Sequence, residues 1–245
     1  MANRRDFLYK SILGTAGMVA APSIINAANS SGVSIPSEKI KNNFLRDKFK
    51  PEWKFGMGGV AAGNGFHVNS DEEIRGAMDA AWNNGVRYFD TSPWYGLGIS
   101  ERRMGSYLFN KEREDFVLST KVGRVLTPDP DLELPGALWK GKLNMNYKYD
   151  YSAEGVRKSV EQSLHRLGLA YIDIVFIHDL SPDNPDFKEG DYEKYFEQAK
   201  NGAMPELTKM REEGLIKGWG LGVNTTRPIL ETIEVADPDI FLSAK

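Results

Sequence analysis

The alternation of short apolar runs with helical segments is the feature that most limits the folds open to this chain. From Trp53 onward, runs rich in β-branched and aromatic residues alternate with segments whose apolar residues recur every three or four positions. Strands joined by helical crossovers run parallel. The sequence therefore predicts an α/β fold, either a (β/α)8 barrel or an open doubly wound sheet. The predicted strands span residues 54–60, 86–90, 116–121, 171–178, 217–223 and 240–244.

Helices are predicted between these strands, at residues 71–84, 100–109, 153–167, 205–213 and 228–235. Ser70 and Ser152 are placed as N-caps, and Glu73 completes a capping box with Ser70. Two connections have no regular pattern. Residues 63–69 are polar and rich in glycine, and residues 125–151 form a long segment that contains Trp139. Because long irregular loops are usually functional or disordered, the aromatic content of the second favours a loop that covers a substrate.

Polar side chains occur where the predicted strands end. Asp90, Lys121, His178 and Asn224 all have this position, and Tyr95 follows five residues after Asp90. In a barrel, the carboxyl ends of the strands meet at one mouth, which is where functional residues of such barrels lie. We therefore expect these side chains to converge. Each of them alone also has an ordinary structural interpretation, as a loop cap, a packed ring or a solvated charge.

Together these residue types suit the interconversion of a carbonyl and an alcohol. A tyrosine with a pKa of about 10 exchanges protons poorly near neutrality, but a lysine ammonium beside it stabilises the phenolate. Asp90 would fix Lys121, and His178 would orient a carbonyl, leaving Tyr95 as general acid and base. No side chain accepts a hydride, so redox chemistry requires a bound nicotinamide.

Two other functions fit the same residues. An isomerase or aldolase would use Lys121 to form a Schiff base, which needs an unpaired, desolvated lysine. A non-catalytic nucleotide-binding or sensor barrel is the second alternative, since fold does not determine function. Such a binding module would have no use for a paired tyrosine and lysine.

The glycine-rich stretch at residues 56–61 matches the dinucleotide fingerprint G-x-G-x-x-A. That fingerprint requires a helix to begin inside the motif, whereas here a polar loop follows and the helix begins only after Ser70. We therefore predict that Gly58 lets the first strand approach a cofactor closely and that it does not form a Rossmann turn.

Four segments, at residues 90–105, 118–124, 159–179 and 215–224, resemble the aldo-keto reductase family. The resemblance extends from about Phe55 to the end of the chain. The first segment is most similar to the branch that includes D-threo-aldose 1-dehydrogenases and pyridoxal 4-dehydrogenases. The resemblance implies a (β/α)8 TIM barrel that uses NADP or NAD and acts on a sugar or small aldehyde. It implies catalytic roles for Asp90, Tyr95, Lys121 and His178, cofactor contacts for Gly58, Asp90, Asn224 and Ser243, and substrate contacts for Trp94 and His178.

The first residues have the pattern of a secretory leader. Arg4 and Arg5 precede a weakly apolar stretch, and small residues follow at 27–28. The paired arginines resemble a twin-arginine signal, which predicts the export machinery as a partner and a periplasmic location. The apolar stretch is too short for a stable membrane span. We therefore divide the chain into a signal at 1–28, a linker at 29–52 and a barrel at 53–245.

Composition excludes several other classes. The chain carries 31 basic and 34 acidic side chains, a net charge of −3, which argues against a nucleic-acid-binding surface. It has no cysteine and three histidines, so neither a disulfide nor a metal site is expected. Only six of the eight βα units of a barrel are present. We therefore expect the chain to be a fragment or a truncated gene product, with about 70–80 further residues needed to close a barrel.

Overall fold

The structure, a computed structural model, describes residues 47–133 and 138–244. The predicted leader and most of the predicted linker lie outside this range. The strands are β1 (Gly56–Gly58), β2 (Tyr88–Asp90), β3 (Val117–Val122), β4 (Arg124–Pro128), β5 (Met145–Tyr149), β6 (Ile172–His178), β7 (Ile216–Val223) and β8 (Leu242–Ser243). The helices are α1 (Asp71–Asn83), α2 (Ile99–Leu108), α3 (Ala153–Leu167), α4 (Asp191–Asn201), α5 (Ala203–Glu212) and α6 (Arg227–Val235).

Six parallel strands form one curled sheet in the order β1-β2-β3-β6-β7-β8. The order follows the chain without reversal, whereas a doubly wound sheet reverses its strand order at a switch point. The sheet is therefore part of a (β/α) barrel, and the six predicted barrel strands are confirmed. None of the described helices is long and apolar enough to cross a membrane.

The two faces of the sheet carry different residues because successive side chains of a strand point to opposite faces. The outward face, which includes Phe89, Leu118 and Val175, packs into the core shared with the helices. The inward face has a second cluster, in which Ile174 and Phe176 pack against residues such as Trp53. The same alternation places the last residues of several strands on the inward face.

Helix α1 begins as its sequence predicts. The Ser70 side chain accepts a hydrogen bond from the Glu73 backbone N–H at 3.1 Å, and the Glu73 carboxylate accepts one from the Ser70 N–H at 2.8 Å. The helix therefore starts at Asp71, fifteen residues beyond the first glycine of the fingerprint at Gly56. This spacing excludes a Rossmann turn at residues 56–61.

Three features differ from the sequence prediction. The segment at 125–151 is not wholly irregular, because β4 and β5 pair antiparallel and form a ribbon at its two ends. Helix α4 was not predicted at all. Lastly, the residues just before the predicted barrel pack onto it: Phe49 belongs to the inward cluster, and its N–H donates to the Asp239 carboxylate at 3.2 Å.

Strand β7 approaches the chain segment before β8 so closely that it needs a glycine. A Cβ atom added at Gly220 would overlap the Ile240 carbonyl oxygen, which is rigid backbone. We expect Gly220→Ala to lower the free energy of unfolding by about 3 kcal/mol, at the upper end of the usual overpacking range.

Gly76→Ala is the matched control. Nothing lies within 4 Å of a Cβ there, and alanine in that helix should stabilise by about 0.5–1 kcal/mol. Urea unfolding of both variants tests this, and equal stability would contradict it.

Candidate active site

The structure brings Asp90, Lys121 and His178 together on the inward face, at the carboxyl ends of β2, β3 and β6. Tyr95 follows in the turn between β2 and α2. The rings of Tyr95 and His178 meet edge to face, with centroids 5.9 Å apart. The convergence expected from the strand-end pattern is therefore observed for all four residues.

Lys121 is the most buried charge of this group, at 2% exposure. Its ammonium donates to Asp90 Oδ2 at 2.7 Å and to the Thr91 carbonyl oxygen at 2.8 Å. The other Asp90 oxygen accepts from the Ser119 hydroxyl at 2.6 Å. Burial works to lower the pKa of Lys121, but Asp90 and Tyr95 outweigh it and the pKa is raised. Lys121 is therefore a paired ammonium at neutral pH, which is unsuited to Schiff-base formation.

Tyr95 lies beside this ammonium, with Lys121 Nζ 4.7 Å from the centre of its ring. The sequence led us to expect a lowered pKa for the phenol. Burial instead raises the pKa of Tyr95 above its ordinary value of 10, and the Lys121 charge only partly opposes that rise. Lys121 acts in the direction that the sequence predicts, but the net shift is upward because desolvation penalises the phenolate more than one ammonium stabilises it. At neutral pH Tyr95 therefore keeps its proton.

Two polar groups contact the Nδ1 atom of the His178 ring. Its Nδ1 lies 3.2 Å from the Ser92 hydroxyl and 3.4 Å from Arg124 Nη1. Burial, together with the positive charges of Arg124 and Lys121, holds the pKa of His178 well below 6.5. The imidazole is thus neutral at physiological pH, and a neutral imidazole orients a partner by donating one hydrogen bond.

Aromatic side chains from β5 and from the connection before it pack against Tyr95 and its neighbour Trp94. Trp139 packs against Tyr95 at 5.7 Å between ring centroids and against Trp94 at 5.5 Å. Tyr147 also packs against Trp94, with ring centroids 4.6 Å apart. Trp94, a predicted substrate contact, therefore packs against two aromatic side chains of the segment at 125–151, and the role of this segment as a substrate cover stays a prediction.

The remaining predicted cofactor residues lie at the same end of the sheet. Gly58 is opposite Asp90 in the strand register, and nothing lies within 4 Å of a Cβ placed on it. Asn224 directly follows β7, and Ser243 ends β8. Both are exposed. An exposed amide and an exposed hydroxyl at the same end of the sheet as the Lys121–Asp90 pair fit the nicotinamide end of a dinucleotide.

Sequence reasoning assigned no role to Arg124, which is only 4% exposed. It begins β4 after Gly123, whose φ of +110° turns the chain sharply out of β3. Its guanidinium donates to Asp179 Oδ2 at 2.8 Å and to the Tyr149 hydroxyl at 2.7 Å. The sequence contained one indication that Arg124 has a role, because it lies only three residues after Lys121, which is at the end of a predicted strand.

The sheet places an aspartate, a tyrosine, a lysine and a histidine together at one end of its strands. Comparison with known protein families identifies the class of protein that has this arrangement. The chain belongs to the aldo/keto reductase family, whose family model matches residues 54–240. It is 36% identical over 193 residues to a D-threo-aldose 1-dehydrogenase from a Pseudomonas species, covering 77% of this chain and 55% of that protein.

A pyridoxal 4-dehydrogenase from Microbacterium luteolum is 34% identical over 200 residues, covering 77% of this chain and 57% of that protein. The chain thus spans about half the length of the curated relatives it matches. Among solved structures, an aldo-keto reductase from Bacillus halodurans in its holo form superposes with a TM-score of 0.58 at 22% identity. The match covers 78% of this chain and 53% of that one and shows a shared fold.

Proposed function

We propose that this chain provides the active site of an oxidoreductase that moves a hydride between NAD or NADP and a sugar or small aldehyde. The observation that carries the proposal is the position of Lys121. A buried ammonium bound to Asp90 at 2.7 Å and placed 4.7 Å from the Tyr95 ring has a direct use in proton exchange at the phenol. A purely structural ion pair would not need the tyrosine.

Side chains of this protein donate and accept the proton. Because its pKa is raised, the Tyr95 hydroxyl holds a proton at neutral pH and donates it to a carbonyl oxygen in the reducing direction. In the oxidising direction, Lys121 stabilises the phenolate that takes the proton from an alcohol. His178, neutral and beside Tyr95, donates a hydrogen bond to the same substrate oxygen. When bound, the nicotinamide supplies the hydride acceptor or donor that no side chain provides.

Four residues would hold the nicotinamide end. Gly58 gives an open approach, Asp90 lies opposite it, and Asn224 and Ser243 offer an amide and a hydroxyl at the ends of β7 and β8. We propose that Asn224 binds the carboxamide. Which of NAD and NADP is used depends on contacts to the adenosine end.

The proposed substrate is a sugar or a small aldehyde. The aldose and pyridoxal dehydrogenases among the relatives support this class. The structure adds aromatic side chains beside Tyr95, since Trp139 packs against both Tyr95 and Trp94 and Tyr147 packs against Trp94. Aromatic faces pack against the C–H faces of a sugar ring and leave its hydroxyls to polar neighbours.

A nicotinamide-linked assay on the full chain tests this proposal. NAD and NADP are each supplied with a panel of aldoses and pyridoxine-like alcohols, and the reduced forms with the matching aldehydes. We expect turnover with one nucleotide and at least one aldose or aldehyde. Nucleotide binding without turnover on the whole panel would favour the sensor alternative. A lysine adduct trapped by borohydride would favour the Schiff-base alternative.

We also propose export to the periplasm through the twin-arginine machinery, on the strength of Arg4, Arg5 and the apolar stretch that follows them. Replacing both arginines by lysine should retain the protein in the cytoplasm. Cell fractionation and the intact mass of the wild-type and variant proteins measure this. Equal distribution of the two would contradict the proposal.

A further inference from the structure

We propose that Arg124 is a positioning residue that fixes His178 in the neutral form protonated at Nε2, so that Nε2–H is the hydrogen bond offered to the substrate. The use made of that hydrogen bond rests on the proposed function. The form of the imidazole does not, because it follows from contacts within the chain.

The contacts at Nδ1 determine where the ring proton lies. A guanidinium has five donors and no acceptor, and it keeps its charge at every physiological pH. With Arg124 Nη1 at 3.4 Å, Nδ1 has to act as the acceptor. The second neighbour, the Ser92 hydroxyl at 3.2 Å, accepts from the Trp94 backbone N–H at 3.1 Å and still carries its own proton, so it can donate to the Nδ1 that Arg124 has made an acceptor. Two donors directed at Nδ1 leave the ring proton on Nε2.

Arg124 is itself held firmly enough to impose this geometry. Asp179 Oδ2 and the Tyr149 hydroxyl accept from separate nitrogens of its guanidinium, at 2.8 and 2.7 Å. Its guanidinium carbon lies 4.8 Å from the Trp94 ring and 4.8 Å from the Tyr149 ring. A planar group fixed by two acceptors and two aromatic faces presents Nη1 to His178 in one orientation.

The charges around His178 favour the neutral ring. Lys121 from β3 and Arg124 from β4 oppose protonation, and Tyr95 contributes a neutral hydroxyl. Asp179 is the opposing group, since its Oδ1 lies 3.6 Å from Nε2. Arg124 is bound to that same carboxylate and offsets its charge. Removing the guanidinium therefore has two effects: it frees Nδ1 to carry a proton and leaves Asp179 to attract one.

The test is nitrogen NMR of the imidazoles in the full chain labelled with ¹⁵N-histidine. The sequence has three histidines, so a His178→Gln variant assigns the signals of His178. In the wild type we expect Nε2 protonated, Nδ1 unprotonated, and a titration midpoint well below 6.5. In Arg124→Met we expect a mixture of both neutral forms and a midpoint shifted upward. Arg124→Lys keeps the charge and should keep the midpoint low.

Ser92→Ala is the matched control, because it removes the other group at Nδ1 and should leave Nε2 protonated. A wild-type ring protonated at Nδ1 or charged at pH 7 would overturn the proposal even if Arg124→Met failed to fold. It would also be overturned if Ser92→Ala changed the tautomer and Arg124→Met did not. Turnover is not part of this measurement, so its result is independent of the proposed function.

Discussion

Replacing Tyr95 by phenylalanine is expected to lower kcat by about 10²–10⁴-fold, the contribution usual for a positioned general acid and base. The ring would keep its packing against Trp139 and its place over Lys121, at 5.7 and 4.7 Å in the wild type. Only the proton-transferring hydroxyl is lost. Steady-state kinetics in both directions measure the effect. Nucleotide binding, followed by fluorescence titration, should be unchanged within about twofold.

Tyr107→Phe is the control for this experiment. Tyr107 is also a buried tyrosine, but it belongs to the outward core cluster and packs against Trp82, away from the strand ends. Its kcat should match the wild type. If Tyr95→Phe retained full activity with intact nucleotide binding, the assignment of Tyr95 would be wrong and the proton would have to come from another group.

Replacing Arg166 by methionine is expected to cost about 3–5 kcal/mol of unfolding free energy, the range for breaking a buried ion pair from one side. Glu101 in α2 is fully buried, and its carboxylate accepts from Arg166 Nε of α3 at 2.6 Å and from the Thr120 hydroxyl at 2.6 Å. Removing the guanidinium leaves a buried charge with one neutral partner. Denaturant unfolding measures the loss.

Two further variants separate charge burial from a general effect of losing an arginine. Arg227→Met removes an exposed arginine that pairs with Glu231 at 2.8 Å, and should cost no more than about 1 kcal/mol. Adding Glu101→Gln to Arg166→Met should recover part of the loss, because the buried group is then neutral. Equal destabilisation by Arg166→Met and Arg227→Met would refute this explanation.

The residues that ended predicted strands could be located from the sequence alone. Parallel strands in sequential order place their carboxyl ends at one edge, so Asp90, Lys121 and His178 had to lie at the same end of the sheet, whereas their common inward direction depends on the pleat of each strand. The capped start of α1 at Ser70 was equally predictable, since capping boxes depend on adjacent residues. These features follow from local patterns that a single sequence contains.

What the sequence could not show depends on long-range packing. The sign of the pKa shift at Tyr95 was missed because the extent of burial is a property of the folded chain. The ribbon of β4 and β5 was missed because its strands are separated by a long connection and because β5 consists of partly exposed residues. Arg124 was overlooked because its partners Asp179 and Tyr149 come from different parts of the chain.

The most direct test of the central claim is isotope transfer from substrate to nucleotide. The full chain is incubated with oxidised NAD or NADP and aldoses that carry deuterium at C1, and the nucleotide is analysed by mass spectrometry. We expect one deuterium on the reduced nicotinamide and the corresponding lactone as product, with the transfer abolished in Tyr95→Phe. Binding of nucleotide and aldose with no label transferred would contradict hydride transfer from a sugar at this site.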